Sequence, residues 1–346
     1  NGNTLLTSVK IHWQLNGGPV TTITYTNTIP VNTGVPNSNA ANIFLANVTF
    51  NTAANVFKVW TSDPNGVLDV IPADDTLNIS LRAALNGTYT IGGTSPDFAN
   101  VEQAVDDLNA LGVCGPVVFN IRPGTYTSTK ALTIRNFTGS SAVNKVVFQS
   151  ENGSASSVAI NWAGGSSTAN AHALGFADAS YITIKNVTIN STGASYAYSL
   201  NFTGSSSNDS IVGCVLNVPN STNYYHQNIY ASVGSSNENI VIMNNEINNG
   251  YFGIYWNGSS SVGTRNINVS GNTFNNFYYY GTYFYYVNGW KFNNNVLNAR
   301  STAGYGMTMY NYLTPSVPQP FECNGNKIYG INPSYGAAMY IYYPHG

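Results

Sequence analysis

The sequence predicts an all-β protein in which a solenoid of parallel strands follows a small β-sandwich and a single α-helix. Three observations indicate this class. Six similar segments recur between Tyr181 and Tyr329, each alternates apolar with polar residues, and each turns at Asn or Gly before its closing residue. The segments read YITIKNVTIN, NDSIVGCVLN, NIVIMNNEIN, NINVSGNTFN, GWKFNNNVLN and FECNGNKIY.

The spacing of the segments is the signature of a solenoid. Equivalent positions lie 27, 31, 27, 23 and 31 residues apart, at Val187, Cys214, Asn245, Asn272, Asn295 and Asn326. A period of this length with strand-length units predicts coils whose apolar rows stack inside. Stacked Asn amides can hydrogen-bond from coil to coil, so we predict an internal asparagine ladder at the last four positions. An Asn-rich flat sheet or a disordered chain is the alternative, and the register of the apolar rows disfavours both.

The composition excludes several functions. Of 346 residues only 8% are charged, the net charge is −2, and 12 basic residues are spread over the whole length, so no nucleic-acid partner is expected. No apolar run is long enough for membrane insertion. Polarity comes from Asn, Ser, Thr and 25 Tyr, which suits a secreted protein, extracellular or at the cell surface. The three cysteines, Cys114, Cys214 and Cys323, are predicted to be buried free thiols.

The N-terminal part lacks the repeat with Asn at its corners. Short alternating runs at 9–15, 20–28, 43–50, 55–61 and 76–85 predict antiparallel strands of a small sandwich, with Trp13 and Trp60 in its core. We therefore divide the chain into a sandwich at 1–88, a linker with a capping helix at 89–116, and the solenoid at 117–346.

The stretch 97–111 predicts the one helix. Asn100 and Gln103 form a capping box, Gly112 ends the helix, and one face is apolar: Phe98, Val101, Ala104, Val105, Leu108 and Leu111. Its place before the first coil indicates a lid over the open end of the solenoid.

Several motifs carry a resemblance over nearly the whole chain. SVKIHWQLNGGP, VWTSDPNGVLDVIPADDTL, GTYTIGG and GPVVFNIRPGTYT resemble the Ig-like module and pectate-lyase-like right-handed parallel β-helix of large secreted cell-surface proteins of Bacteroidota. The resemblance implies an Ig-like β-sandwich, a right-handed β-helix and export by a type IX route. It implies adhesin-like or structural roles rather than a defined activity.

A second column of strands follows the Asn corners, at 253–257, 281–286, 306–312 and 336–343. If Ile254, Trp256 and Phe284 point inward, alternation makes a row of tyrosines point outward. We predict a binding surface for protein or glycan at Tyr255, Tyr283, Tyr285, Tyr310, Tyr312, Tyr340 and Tyr342. The alternative is that these positions favour Tyr only for its β-propensity.

Residues for catalysis are scarce. The acids after residue 150 do not recur in one column, and His172, His226 and His345 have no evident carboxylate partner. We expect no catalytic residue, no enzyme activity and no required cofactor. Calcium is the one candidate metal, with oxygen ligands grouped at Asp63, Asn65, Asp69, Asp74 and Asp75, although turn and cap roles also explain this cluster.

Two functions stay open. The first is a non-enzymatic structural or adhesive protein, as a subunit of an extracellular filament or a segment of a large adhesin. Its partners would be further copies joined end to end or neighbouring segments of a longer chain, because both ends of the chain lack caps. The alternative is a polysaccharide-binding or polysaccharide-cleaving β-helix, with a glycan as partner.

Overall fold

The computed structural model describes residues 4–31, 41–50, 54–69, 75–300, 304–310, 320–332, 334 and 336–342. The chain divides into two compact units, Asn1–Ala84 and Leu85–Gly346. Among the described residues no helix is long and apolar enough to cross a membrane.

The first unit contains one antiparallel sheet with the strand order β2-β1-β3-β4. The strands are β1 (Val9–Leu15), β2 (Thr21–Tyr25), β3 (Asn55–Ser62) and β4 (Thr76–Leu81), and a 3-10 turn spans Pro64–Gly66. Val9 and Ile11 are buried. An Ig-like sandwich is not shown by this single sheet and remains a prediction.

Two expectations for this unit are wrong. The run at 43–50 forms no strand, and its Phe44 side chain is 74% exposed. Trp13 and Trp60 are only partly buried, because each packs on one side against a neighbour in the same sheet, Phe57 and His12 respectively. Alternation identified these strands but could not show how fully their faces are covered.

The second unit is a parallel β-helix with one α-helix. Successive strands pass in turn to three parallel sheets, so each of about eight coils adds one strand to each sheet. The first sheet comprises β5 (Leu85–Ile91), β6 (Val113–Ile121), β9 (Val146–Ser150), β12 (Ile182–Lys185), β15 (Ser210–Val212), β18 (Glu238–Met243), β21 (Thr264–Ser270), β24 (Val287–Asn293) and β27 (Phe321–Glu322).

The other two sheets have eight strands each. The second comprises β7 (Gly124–Thr127), β10 (Val158–Trp162), β13 (Thr188–Ser191), β16 (Val215–Asn217), β19 (Glu246–Asn248), β22 (Thr273–Phe277), β25 (Val296–Ala299) and β28 (Lys327–Tyr329). The third comprises β8 (Leu132–Arg135), β11 (His172–Ala177), β14 (Ala197–Thr203), β17 (His226–Ser235), β20 (Phe252–Gly258), β23 (Tyr280–Tyr285), β26 (Tyr305–Tyr310) and β29 (Ala337–Tyr342). Two further 3-10 turns span Ala155–Ser157 and Thr168–Asn170.

The core is built from the apolar rows that the alternation predicts. Strands pair in register, for example Ile184 with Phe148 on one side and Ile211 on the other. Buried aromatic side chains such as Trp256 and Trp290 lie in the same continuous core. Cys214 is buried as predicted, but Cys323 is only partly buried, and Cys114 is exposed because it takes an outward position on β6.

The predicted asparagine ladder is present between the first and second sheets. The Oδ1 atom of Asn272 accepts hydrogen bonds from the backbone N and the Nδ2 of Asn245, at 2.9 and 3.0 Å. Its Nδ2 donates to the Ile242 carbonyl at 2.9 Å. The pattern repeats at Asn295 and Asn326. The Asn side chains thus supply hydrogen bonds between adjacent coils at the corner, where one strand has ended and the next has not begun.

The residue before each ladder position has a left-handed backbone and alternates between Asn and Gly. Asn244 has φ 55° and Gly271, one coil later, has φ 68°. A Cβ at Gly271 would lie 2.3 Å from Asn244 Oδ1, so the glycine leaves room for the amide of the preceding coil. Backbone conformation and this close approach together explain the choice of glycine.

Among the described residues the one α-helix, α1 (Val101–Leu111), ends at the predicted residue and begins after the predicted cap Asn100 rather than at residue 97. Asn100 Oδ1 accepts from Gln103 N at 2.9 Å, and Gln103 Oε1 accepts from Ala99 N at 3.0 Å, one residue before the expected partner. Gly112 closes the helix at φ 64°. The helix packs against β5, β6 and β8 with its apolar face buried in the core. It therefore covers the apolar core at the first coils.

Candidate functional site

The outward face of the third sheet carries a file of tyrosines. Tyr255 and Tyr283 are paired neighbours on adjacent coils, and both are partly exposed, whereas Trp256 and Phe284 beside them are buried. Tyr285, Tyr310, Tyr340 and Tyr342 also take outward positions, and Tyr312 lies outside the described residues. We call the tyrosine surface the outward tyrosines of this sheet together with Phe252, whose ring is stacked among them but is only 2% exposed. The tyrosines are Tyr230, Tyr255, Tyr280, Tyr283, Tyr285, Tyr305, Tyr310, Tyr340 and Tyr342.

The rings stack along the coils. Tyr255 and Tyr283 lie with their ring centroids 5.3 Å apart and their planes 4° from parallel. A parallel file runs through Phe252, Tyr280 and Tyr305, with centroid distances of 5.1 and 5.2 Å. Neighbouring coils cover the faces of these rings, so it is the ring edges that face solvent. One edge follows the next at the distance between successive coils.

Further tyrosines, missed by sequence reasoning, border the surface from the turns between the second and third sheets. Tyr224 is 45% exposed and contacts Phe252 and Tyr255 edge to face. Tyr225 is 41% exposed and packs on Tyr196. Tyr251, Tyr278 and Tyr279 continue this border. Tyr224 is tilted or perpendicular to its neighbours Tyr225, Tyr251 and Phe252, whereas Tyr251 and Tyr279 stack with their planes 29° apart.

The tyrosine surface is electrically neutral. None of the strands β17, β20, β23, β26 and β29 contains Asp, Glu, Lys or Arg. Burial raises the pKa of Tyr230 and Tyr280, so their hydroxyls stay protonated at physiological pH. Such a surface matches an uncharged ligand better than a carboxylate polymer, which would need cations to pair with.

A polar cavity of about 310 Å³ continues the same face toward the first coils, next to Tyr230. His172 lies in it, 4% exposed, and burial together with the positive charge of Arg135 lowers its pKa to about 4. Asn201 Nδ2 is 3.3 Å from His172 Nδ1, and Thr133 Oγ1 is 2.8 Å from Nε2. The buried imidazole is therefore in contact with a polar side chain at each ring nitrogen.

A second histidine forms a tighter arrangement in the turn that carries Tyr224. Ser221 Oγ lies 2.5 Å from His226 Nδ1, and His226 Nε2 lies 3.1 Å from the Ala194 carbonyl of the preceding coil. The sequence search for carboxylate partners missed this pair because its partners are a hydroxyl and a backbone carbonyl.

The structure does not gather the predicted calcium ligands into a metal cluster. Among the described residues no three His, Cys, Asp or Glu side chains group together. Asp63 pairs with Lys10 at 2.7 Å. The Asn65 side chain accepts from the Thr7 backbone N–H and donates to the Leu5 carbonyl, which are turn-fixing roles. Asp69 and Asp75 belong to no such group, and Asp74 lies outside the described residues. The calcium site stays a prediction.

Comparisons with known proteins agree on the fold. A pectin methylesterase from Aspergillus niger is 13% identical, with 74% of this chain and 90% of that one covered and a TM-score of 0.46. Pectin methylesterase from carrot is 11% identical over 76% and 89%, with a TM-score of 0.42. A rhamnogalacturonan lyase is 13% identical over 73% and 65%, with a TM-score of 0.37. At these identities the likeness is one of right-handed β-helix fold. No family model and no curated protein matches the chain.

These findings contradict the prediction that the chain is not an enzyme, since the similar structures are a lyase and methylesterases. The alternative that the sequence left open, a polysaccharide-binding or polysaccharide-cleaving β-helix, names the same class of protein as these structures and is a proposal for this chain.

Proposed function

We propose that this chain is a polysaccharide-active protein that binds an extended, uncharged glycan along the tyrosine surface. The observation that carries the proposal is the file of outward aromatic rings on strands without a charged residue. Tyr offers an apolar body and a hydroxyl at low entropic cost, a combination that suits sugar rings. The rise of one coil is comparable to the length of one pyranose unit, so successive coils can contact successive sugars.

The flanking groups support a glycan over a flat protein partner. The turn tyrosines Tyr224 and Tyr225 border the file. The cavity beyond it offers the polar groups of His172, Thr133 and Asn201, with the Arg135 cation also in its lining. Apolar rings with a few convergent polar groups are the usual composition of a small-ligand or sugar site. A protein contact along the same surface is the competing occupant.

Binding to neutral and acidic polysaccharides tests the proposal. Neutral xylan, glucomannan and cellulose are compared with polygalacturonate by affinity electrophoresis and calorimetry. Replacing Tyr255, Tyr283 and Tyr310 together with Ser should weaken binding of the preferred neutral glycan about tenfold or more. The matched control changes the outward residues Val147 and Val212 of the first sheet to Ser and should bind as the parent does.

Three results would count against the proposal. They are equal affinity of the tyrosine variant and the parent, a preference for polygalacturonate, and the absence of binding to every neutral glycan. Circular dichroism of each variant excludes loss of fold as the cause.

The location of the activity is also a proposal. Polymeric glycans lie outside cells, so we propose a secreted or cell-surface protein. Type IX export in Bacteroidota stays an inference from sequence resemblance, and end-to-end association and bound calcium stay predictions.

A further inference from the structure

The turn between β16 and β17 positions a hydroxyl against an imidazole. Ser221 Oγ is 2.5 Å from His226 Nδ1, and the Asn223 backbone N–H donates to the same Oγ at 3.1 Å. His226 opens strand β17 and is 3% exposed, whereas Ser221 is partly exposed. The buried base is thus held by the sheet while the hydroxyl lies nearer the surface.

The hydrogen bonds fix which ring nitrogen carries the proton. His226 Nε2 lies 3.1 Å from the Ala194 carbonyl, which can only accept, and 3.3 Å from Asn223 Nδ2, whose hydrogens are directed to the Ala194 and Ser195 carbonyls, so Nε2 carries a proton. Burial lowers the pKa of His226, so the ring is neutral at pH 7 and Nδ1 has a free lone pair. The Ser221 hydroxyl must then donate to Nδ1. This is the tautomer that a general base needs.

The surroundings fit a site on a bound glycan. Tyr224, between the two residues in sequence, contacts Phe252 and Tyr255 of the tyrosine surface. The Arg300 guanidinium donates to the Ser221 carbonyl at 3.3 Å and lies over the Tyr278 ring, so it holds the turn in place. No carboxylate is needed to orient His226, because the Ala194 carbonyl does so.

We propose that Ser221 and His226 form a nucleophile and general base that hydrolyse carboxylic esters on a neutral glycan, a substrate assignment that rests on the proposed function. Ser221 Oγ bonds to the ester carbonyl carbon while its proton passes to His226 Nδ1. The tetrahedral adduct collapses, the carbon–oxygen bond to the alcohol breaks, and the sugar hydroxyl leaves with that proton. Water then attacks the acyl-serine, gives a proton to Nδ1, and the carboxylic acid leaves as Ser221 regains its hydrogen.

Hydrolysis assays with the whole chain test the inference. The substrates are p-nitrophenyl acetate, acetylated xylan with acetate as the product, and methyl-esterified pectin with methanol as the product. Ser221→Ala and His226→Gln should each lower kcat by about a hundredfold or more. Thr222→Ala, which removes an exposed hydroxyl from the same turn, should leave kcat unchanged. The rate should depend on one group that titrates below pH 6.5, as expected for the buried imidazole.

Covalent labelling gives an independent readout. A fluorophosphonate probe should modify Ser221, as located by mass spectrometry, and His226→Gln should abolish labelling while the variant keeps its circular dichroism spectrum. Absence of both hydrolysis and labelling in the folded parent overturns the inference, as does activity that survives in Ser221→Ala. Methanol release from pectin without acetate release from xylan overturns the neutral substrate class. The triple tyrosine variant separates the proposals, since p-nitrophenyl acetate turnover should persist where glycan binding is lost.

Discussion

The asparagine ladder and the tyrosine surface are both stacks of identical side chains that repeat from coil to coil, yet they differ in how their polar atoms are used. Asn272 is fully buried, and both its Oδ1 and its Nδ2 are hydrogen-bonded within the solenoid. Tyr283 stacks on Tyr255 with its side chain partly exposed. Repetition alone therefore does not reveal a role. Burial and internal hydrogen bonding assign the ladder to stability, and exposure leaves the tyrosines able to meet a ligand.

Replacing Asn272 with Leu should have the largest effect on this contrast. The change leaves the backbone N–H and the Nδ2 of Asn245 without their shared acceptor, and the buried Ile242 carbonyl without its donor. Buried unpaired groups cost about 1–3 kcal/mol each, so we expect the free energy of unfolding to fall by about 2–4 kcal/mol in urea denaturation.

The control for that prediction lies on the outside of the same coil. Asn275 belongs to an outward amide stack, where it bonds Asn248 and Asn298 at 3.1 and 3.0 Å and is only partly buried. Asn275→Leu should cost less than about 1 kcal/mol, because water can replace the lost bonds. Equal losses at the two positions would show that burial is not what separates the two stacks.

Asp209 is an intermediate case that the same comparison explains. It takes the inward position that Ile182 and Ile240 take in adjacent coils, and it is fully buried. Its Oδ1 accepts from the Ile182 backbone N–H at 2.8 Å, whereas no hydrogen-bond partner of Oδ2 is found among the described residues. Burial raises the pKa of this carboxyl well above its usual value.

The sign of the pH effect follows from that direction. Below the unfolded pKa of about 3.9, this carboxyl is protonated in both the folded and the unfolded chain and does not lower the free energy of unfolding. As the pH rises from there toward the folded pKa, only the unfolded chain ionises freely, so the free energy of unfolding falls. Asp209→Asn keeps the bond to Ile182 N and cannot ionise. It should raise the free energy of unfolding by about 1–3 kcal/mol at pH 7 and by little at pH 4. Asp178→Asn, at an exposed position, is the control. A gain that does not depend on pH would contradict this account.

The sequence allowed the coil to be predicted because two local periods coincide, the alternation along each strand and the recurrence of Asn at each corner. The same register also predicts which residues of successive coils lie next to each other. Ala194 and Ser221 are 27 residues apart, as are Val187 and Cys214, so the carbonyl that orients His226 could have been found by aligning turns. The inward position of Asp209 was also available from its alignment with Ile182.

Other features could not be predicted from the sequence. The turn tyrosines Tyr224 and Tyr225 follow no alternation, so nothing local says which way their rings point. In the first unit, whether Trp13 and Trp60 are buried depends on what covers each face of the sheet, which a strand pattern does not encode. Cys114 shows the same limit within the solenoid, since it lies where a strand begins.

The smallest effect is expected on the tyrosine surface itself, and it separates folding from binding. Tyr283 is partly exposed, and it contacts Tyr255, Tyr280 and Tyr310 among other rings, so water replaces part of what these aromatic contacts contribute to stability. Since a Ser at this position remains hydrated and opens no internal cavity, Tyr283→Ser should lower the free energy of unfolding by about 1 kcal/mol. The next residue supplies the matched control. Phe284 is fully buried, and Phe284→Ala should cost about 3–5 kcal/mol because it leaves a cavity between coils. If Tyr283→Ser destabilises the chain as much as Phe284→Ala does, the tyrosine stack is part of the core, and the surface has been selected for stability rather than for a glycan.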